Sequence, residues 1–324
     1  MPIGQYIITA RPQGFTHSEA IALAAAHHAT LAAPTTDAEN HYLLFILEND
    51  PLLWGPNPDG TALIGPWIGL TQQIGSTEPG GGWTWDTGEA LTYSAWHPTQ
   101  PDNFHFDLFG ILFDYQGSIG WGDTVSDPGG EGFGAVISAA VEVGSTVRKL
   151  TGTNYHDNIR GAAVNNTIDG KGGDDRLYGG DGRDLIKGGG GSDLLLGGVN
   201  DYNDTLIGGG GKDFLYGGPG EDVFVYNKIS DSRQVFHGQS ADDHIFDLEV
   251  NYDFIDLSAI DAIPGGGHDK LVFAGTFFTG VGQYIITGEN GHYQVLVNMK
   301  GAALPEMSIT VDCDGHLTPV NFIL

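Results

Sequence analysis

Gly179-Gly180-Asp181-Gly182-Arg183-Asp184-Leu185-Ile186-Lys187 is the stretch that decides the fold of this 324-residue chain. Its letters follow G-G-x-G-x-D-x-U-x, where U is a large apolar residue, and eight copies run back to back from Gly152 to Val225. The copies starting at Gly188, Gly208 and Gly217 keep the pattern equally well, and the copy starting at Gly170 carries Lys171 at its second position. Glycine allows turns with positive φ, so backbone carbonyls can converge. The sixth-position acids are Asp157, Asp175, Asp184, Asp193, Asp204, Asp213 and Asp222. The eighth-position residues Ile159, Ile168, Leu177, Ile186, Leu195, Leu206, Leu215 and Phe224 recur in register as a thin apolar core. A flexible Gly/Asp-rich linker would have this composition without the period.

The repeat resembles the calcium-binding nonapeptide of RTX proteins. That resemblance implies a parallel β-roll, two copies per coil, with calcium between turns stacked on one side. The acids and converging carbonyls suit an ion that takes about six to eight oxygen ligands. Two copies depart from the pattern. The copy from Gly161 has Val164 at the fourth position and Asn166 at the acid position, and the copy from Gly197 carries two extra residues, which places its acid at Asp204. Weaker or missing ions are expected at both points.

Acidic residues outnumber basic ones, 41 to 13, and the net charge is −28, with an isoelectric point near 4.4. Nucleic acid and anionic membrane surfaces are therefore poor partners. Much of this charge lies in the repeats, so that segment is expected to repel itself and stay unfolded until calcium neutralises it. Cys313 is the single cysteine, so stability is expected from cores and metal rather than from an intrachain disulfide. No basic stretch followed by an apolar run opens the chain, so no N-terminal secretory signal is expected. No run of about eighteen apolar residues is present to span a membrane.

Working outward from the repeats, four segments are expected: residues 1–140 globular, 141–151 a connector, 152–225 the roll, and 226–324 β-rich. In the first, Gln5–Thr9 reads as a strand. His17–Leu31 reads as a helix capped by Thr16, and Asp37–Leu47 as a second helix. In the last, Gln283–Thr287 and Tyr293–Val297 alternate like strands. Asp253–Ser258 and the terminal Asn321-Phe322-Ile323-Leu324 resemble the C-terminal region of RTX proteins exported by type I secretion. That implies an uncleaved export signal, the type I secretion machinery as a partner, and an extracellular or cell-surface location. Export unfolded and folding in millimolar calcium outside follow from weak, folding-coupled sites. Asp242, Asp243, Asp247, Asp253 and Asp256 either hold one further calcium or form a solvated acidic face.

Trp67-Ile68-Gly69-Leu70, Gly82-Trp83-Thr84-Trp85 and Tyr93-Ser94-Ala95-Trp96-His97-Pro98-Thr99-Gln100-Pro101-Asp102-Asn103 occur in that order. Together they resemble a C-type lectin domain over residues 5–140. The implied fold is an α+β C-type lectin-like domain, followed by an all-β parallel β-roll and a β-rich C-terminal cap. The resemblance implies a calcium ion whose open coordination positions take two adjacent sugar hydroxyls. It makes Gln100 and Asp102 ligands, Pro101 a cis proline, and Asp123, within Trp121-Gly122-Asp123, a further ligand. Gly122 replaces the family's asparagine and removes one side-chain oxygen. Asp107 is the nearest acid for the remaining ligand, one residue short of the family spacing, with Asp114 as a weaker candidate.

In that family Gln-Pro-Asp accompanies galactose-type sugars, whose apolar face stacks on an aromatic ring, and Phe104 stands where such a ring is often placed, with His105 and Phe106 beside it. The implied partners are cell-surface glycans containing galactose, with fucose or mannose types, or a protein, peptide or ice surface, as alternatives. Trp67, Trp83, Trp85 and Trp96 are expected in the core. His27, His28 and His41 are expected in surface or core roles rather than as metal ligands. The chain lacks H-E-x-x-H and G-x-S-x-G, so no enzyme is expected; the expected role is a secreted lectin or adhesin.

Overall fold

The computed structural model describes residues 5–56, 60–73, 76–77, 81–101, 109–124, 138–236, 239–263, 268–300 and 305–324. The chain divides into two compact units: residues 1–147 with 155–159, and residues 148–154 with 160–324. Among the described residues no helix is long and apolar enough to cross a membrane.

In the first unit, the strand Gln5–Ala10 runs antiparallel to Ser138–Val143. A longer strand, Ala62–Gln72, pairs antiparallel with Phe109–Tyr115, which pairs antiparallel with Ser118–Thr124. Trp67 opposite Ala139 joins the two groups of strands. The first helix spans His17–Ala26 and the second Asp37–Glu48. Each begins in a capping box, Thr16 with Glu19 and Thr36 with Glu39, which satisfies amide donors that a helix start leaves open. The first helix is shorter than the sequence implies. His27 caps it and His28 turns left-handed at φ 54°, so the chain leaves the helix after its alanine run and returns as the short strand Thr30–Leu31.

The core of this unit is aromatic. Trp67, Trp85 and Trp121 are fully buried, and Trp83 nearly so. Trp121 meets Trp85, Tyr93 and Trp96 edge to face, and such contacts add to burial. A buried indole N–H usually finds a partner, although Trp85 Nε1 is buried here without one. Trp121 Nε1 donates to Asn40 Oδ1 at 2.8 Å and Trp67 Nε1 to the Phe15 carbonyl at 2.8 Å. The first repeat copy is built into this unit at residues 155–159. Its Asp157 accepts from the Thr9 hydroxyl. His156 Nε2 lies 2.9 and 3.0 Å from the two oxygens of buried Asp50, which also accepts from Asn158.

The second unit carries the roll. One face is a 7-stranded parallel sheet in the order Phe322–Ile323, Phe254–Asp256, Val223–Val225, Thr205–Gly210, Leu185–Gly190, Thr167–Gly172, Lys149–Thr151. The opposite face stacks Arg176–Tyr178, Leu194–Leu196, Phe214–Tyr216 and Asp243–Leu248 in parallel. It continues into Met307–Cys313 and the antiparallel strands His292–Asn298 and Gln283–Glu289. Each x-U-x triplet puts its middle residue inward, because strand side chains alternate between faces. All eight eighth-position residues are buried. Turns between triplets need glycine: Gly189 sits at φ +115°, and a Cβ there would press into the backbone of Lys171.

Candidate functional site

Two constellations carry chemistry, one in each unit.

Along the roll, the sixth-position carboxylates form two ladders of backbone-to-side-chain bonds. On one side Asp175 N–H donates to Asp193 Oδ1, Asp193 N–H to Asp213, and Asp213 N–H to Asp243, at 2.8, 2.9 and 3.0 Å. On the other side Asn166 N–H donates to Asp184, Asp184 to Asp204, Asp204 to Asp222 and Asp222 to Asp253, at 2.6, 2.8, 2.7 and 2.8 Å. Asp204 keeps its place because the two extra residues of its copy are taken up in the turn, where Val199 is 81% exposed. Asn166 enters its ladder as a donor through its backbone, and its side-chain oxygen accepts from Ala162 N–H at 3.1 Å.

The second oxygen of each rung decides what the ladder is for. The Oδ2 atoms of Asp184, Asp213 and Asp222 are buried and make no hydrogen bond. Burial pushes Asp184 up to about 6, Asp204 and Asp222 to about 7, and Asp213, which also feels Asp193, to about 8. A Cβ on Gly170, Gly179, Gly188 or Gly197 would fill a cradle bounded by the Oδ2 of its own repeat and the glycine carbonyl of the next coil. Carboxylate and carbonyl oxygens thus face one small space beside each glycine. This donor set fits calcium, with most ligands drawn from the backbone. Among the described residues no three His, Cys, Asp or Glu side chains converge to hold an ion by themselves.

Sequence reasoning left Asp243 and Asp253 undecided, and the structure makes them buried ladder members rather than a solvated face. The available signal was Asp243-His244-Ile245 and Asp253-Phe254-Ile255, each repeating the D-x-U end of the nonapeptide. Asp247 caps the last coil, accepting from the amides of Gly217 and Gly218 at 2.9 and 3.0 Å.

In the first unit, strand Ser118–Thr124 offers two glycines as a floor. A Cβ on Gly120 would stand 2.6 Å from the His97 nitrogen, and one on Gly122 3.7 Å from Gln100 Oε1 and 3.1 Å from Phe113 Cβ. The chain from Ala95 to Gln100 lies over this floor: Trp121 N–H donates to the Ala95 carbonyl and His97 N–H to the Trp121 carbonyl. The Gln100–Pro101 peptide is cis. Asp123 N–H donates to Gln100 Oε1 at 3.2 Å, and Asp123 is buried. Gln100 and Asp123 are therefore brought together, with Gly122 between them. Beside this corner His97 meets Phe113 and Tyr115 edge-on, and these two half-buried rings lie parallel. Asp114 instead caps the hairpin turn, accepting from Gly117 N–H at 2.9 Å. Asp102, Phe104 and Asp107, with His105 and Phe106, lie outside the described residues.

A family described as the C-terminal region of M10 peptidases of the serralysin type matches residues 84–324. No curated protein matches the chain. Among solved structures, the chain is similar to the mouse scavenger receptor C-type lectin carbohydrate-recognition domain, at 19% identity over 43% of this chain and 88% of that one, with a TM-score of 0.30. It is similar to the AlgE6R2 subunit of the Azotobacter vinelandii mannuronan C5-epimerase, at 21% identity over 55% and 92%, TM-score 0.34. It is also similar to herring type II antifreeze protein, at 18% identity over 44% and 94%, TM-score 0.32.

Proposed function

The chain belongs to the family of the C-terminal, non-catalytic region of serralysin-type M10 peptidases, and from that premise we propose that it is a secreted, calcium-loaded module whose first unit binds glycans. The observation that carries the reading is the Gln100–Asp123 corner. The side-chain oxygen of Gln100 is held by the backbone of Asp123, a residue distant in sequence, beside Gly122, and Gln100 opens the Gln-Pro-Asp element of the sequence.

A calcium ion there would be held by Gln100, Asp102, Asp107 and Asp123, and would supply open positions for a sugar diol. The chain's own groups do the rest. The Gln100 oxygen is fixed by Asp123 N–H, and a carbonyl oxygen, with two lone pairs, can serve two partners at once. Its amide NH2 donates to a sugar hydroxyl, while Asp102 accepts from the neighbouring one. Galactose-type glycans are the favoured partners. The roll would hold its own calcium through Asp157, Asp175, Asp184, Asp193, Asp204, Asp213 and Asp222, and Asp243 and Asp253 extend that set. A fold that closes only on binding such ions suits export through type I secretion and an extracellular or cell-surface role in adhesion.

Asp102→Ala tests the reading. It is expected to abolish calcium-dependent retention on galactose resin while leaving the circular dichroism and calcium content of the roll unchanged. Full retention by the variant would place the binding site elsewhere.

A further inference from the structure

The strand Phe109–Tyr115 has two faces, because side chains alternate along it. Leu112 belongs to the core together with Trp121, its register partner on Ser118–Thr124. Phe113 and Tyr115 fall on the opposite face, with Gly120 and Gly122, over which the chain from Ala95 to Gln100 runs. Both rings are half-buried.

The pair is held in place. The two rings are parallel to within 1°, with centroids 6.4 Å apart. His97, only 4% exposed, meets Phe113 at 5.4 Å and Tyr115 at 6.2 Å, nearly perpendicular to each. Its Nδ1 accepts from Thr99 N–H at 3.3 Å, and its carbonyl accepts from Gln100 N–H at 2.8 Å. The short segment that delivers Gln100 thus also fixes the rings.

Gly122 decides what stands between ring and ligand oxygen. A Cβ there would have Phe113 Cβ at 3.1 Å, Phe113 Cγ at 3.4 Å and Gln100 Oε1 at 3.7 Å as its three nearest neighbours. The root of an aromatic ring and the Gln100 oxygen therefore border one small space. Any larger residue at 122 would fill it. The backbone itself does not require glycine at this point, since Gly122 is not in the left-handed region.

We propose that Phe113, extended by Tyr115, is the aromatic surface of the sugar site, and that Gly122 keeps it open to the apolar face of a galactose-type ring. The proposal rests on the reading of this corner as a calcium-dependent sugar site. A hexose held through two adjacent hydroxyls still has ring carbons to cover. Galactose gathers C–H groups on one face, and that face packs on aromatic carbon. A sugar without such a face gains nothing from the ring, so Phe113 sets preference as well as affinity. The sequence pattern puts a ring at Phe104; the described geometry puts one at Phe113.

The test uses the full chain in saturating calcium, titrated with methyl β-galactoside by calorimetry, with the C–H protons of the sugar followed by NMR. With the native chain those protons should move upfield, as protons over a ring face do. Phe113→Leu keeps apolar bulk and removes the ring. It should bind the galactoside about twofold to tenfold more weakly, lose the upfield shift, and need the native calcium concentration for half-maximal binding. Gly122→Ala adds a methyl group beside the ring and no oxygen, and should weaken binding likewise. Phe104→Leu should keep the native shift. If Phe113→Leu fails to fold, Gly122→Ala decides alone, and native affinity there overturns the proposal. Native affinity and native shifts in Phe113→Leu overturn it, as does a loss carried by Phe104→Leu instead. A raised calcium requirement with the shift retained makes Phe113 a packing residue only and overturns it too. A native chain that binds no galactoside in calcium overturns the sugar-site reading itself, and this surface with it.

Discussion

Asp123 N–H donates to the side-chain oxygen of Gln100 at 3.2 Å, tying strand Ser118–Thr124 to the segment that ends in the Gln100–Pro101 peptide. On the proposed reading this one bond serves both packing and binding. Gln100→Ala removes it and is expected to cost about 0.5–1.5 kcal/mol of first-unit stability. It should also abolish calcium-dependent sugar binding while the calcium content of the roll stays native. A thermal melt followed by tryptophan fluorescence and a galactose-resin assay read the two effects separately.

Gly122 can be tested by adding what it lacks. In Gly122→Asn the new Cβ would lie 3.1 Å from Phe113 Cβ and 3.7 Å from Gln100 Oε1. The crowding against Phe113 should destabilise the unit by about 1 kcal/mol. The added amide oxygen faces Gln100 and should lower the calcium concentration needed for half-maximal sugar binding. Calcium titration of resin retention checks the direction; a higher calcium requirement would contradict the proposed ligand geometry.

Leu195 is fully buried in the middle of the roll, between Leu177 and Leu215 on the adjoining strands. Leu195→Ala should destabilise the calcium-saturated roll by about 2–5 kcal/mol, with sugar binding at saturating calcium unchanged. Denaturant unfolding in excess calcium measures the loss.

Acid should stabilise the calcium-free roll. Asp184, Asp204, Asp213, Asp222 and Asp253 have folded values of about 6, 7, 8, 7 and 7, against 3.8 for an ordinary aspartate. Between about pH 4 and pH 8 the folded state keeps protons that the unfolded state has released, so stability falls as pH rises through this window and levels off above it. Circular dichroism in EDTA should show β-structure gained on acidification from pH 8 to pH 5. With calcium the roll should be folded at pH 8 and need more ion at pH 5, because protons compete for the same oxygens. A calcium-free roll that gains order as pH rises would contradict this.

The roll was legible because a nine-residue period fixes both which residue is buried and which is acidic. Leu177, Leu195 and Leu215 stand where the spacing puts them, one above another. Asp243 and Asp253 were not assigned because their rungs span 30 and 31 residues, so no fixed spacing announces them. The first helix ends earlier than its alanine run implies, in a local turn with His28 left-handed, His28 N–H donating to the Ala25 carbonyl and Ala29 N–H to that of Ala24, both at 3.0 Å. Gln100 and Asp123 are singled out in the sequence by the Gln-Pro-Asp and Trp-Gly-Asp elements among the tryptophans, and the structure brings the two residues into contact. That Asp123 holds Gln100 through its backbone N–H is not legible in a pattern of side chains.

The most direct test of the central claim is a glycan array probed with the full chain in millimolar calcium, repeated in EDTA and with free galactose, fucose and mannose as competitors. Binding to terminal galactose or N-acetylgalactosamine that is lost in EDTA and cleared by galactose is the predicted result. A folded, calcium-loaded chain that leaves the array empty would contradict the account.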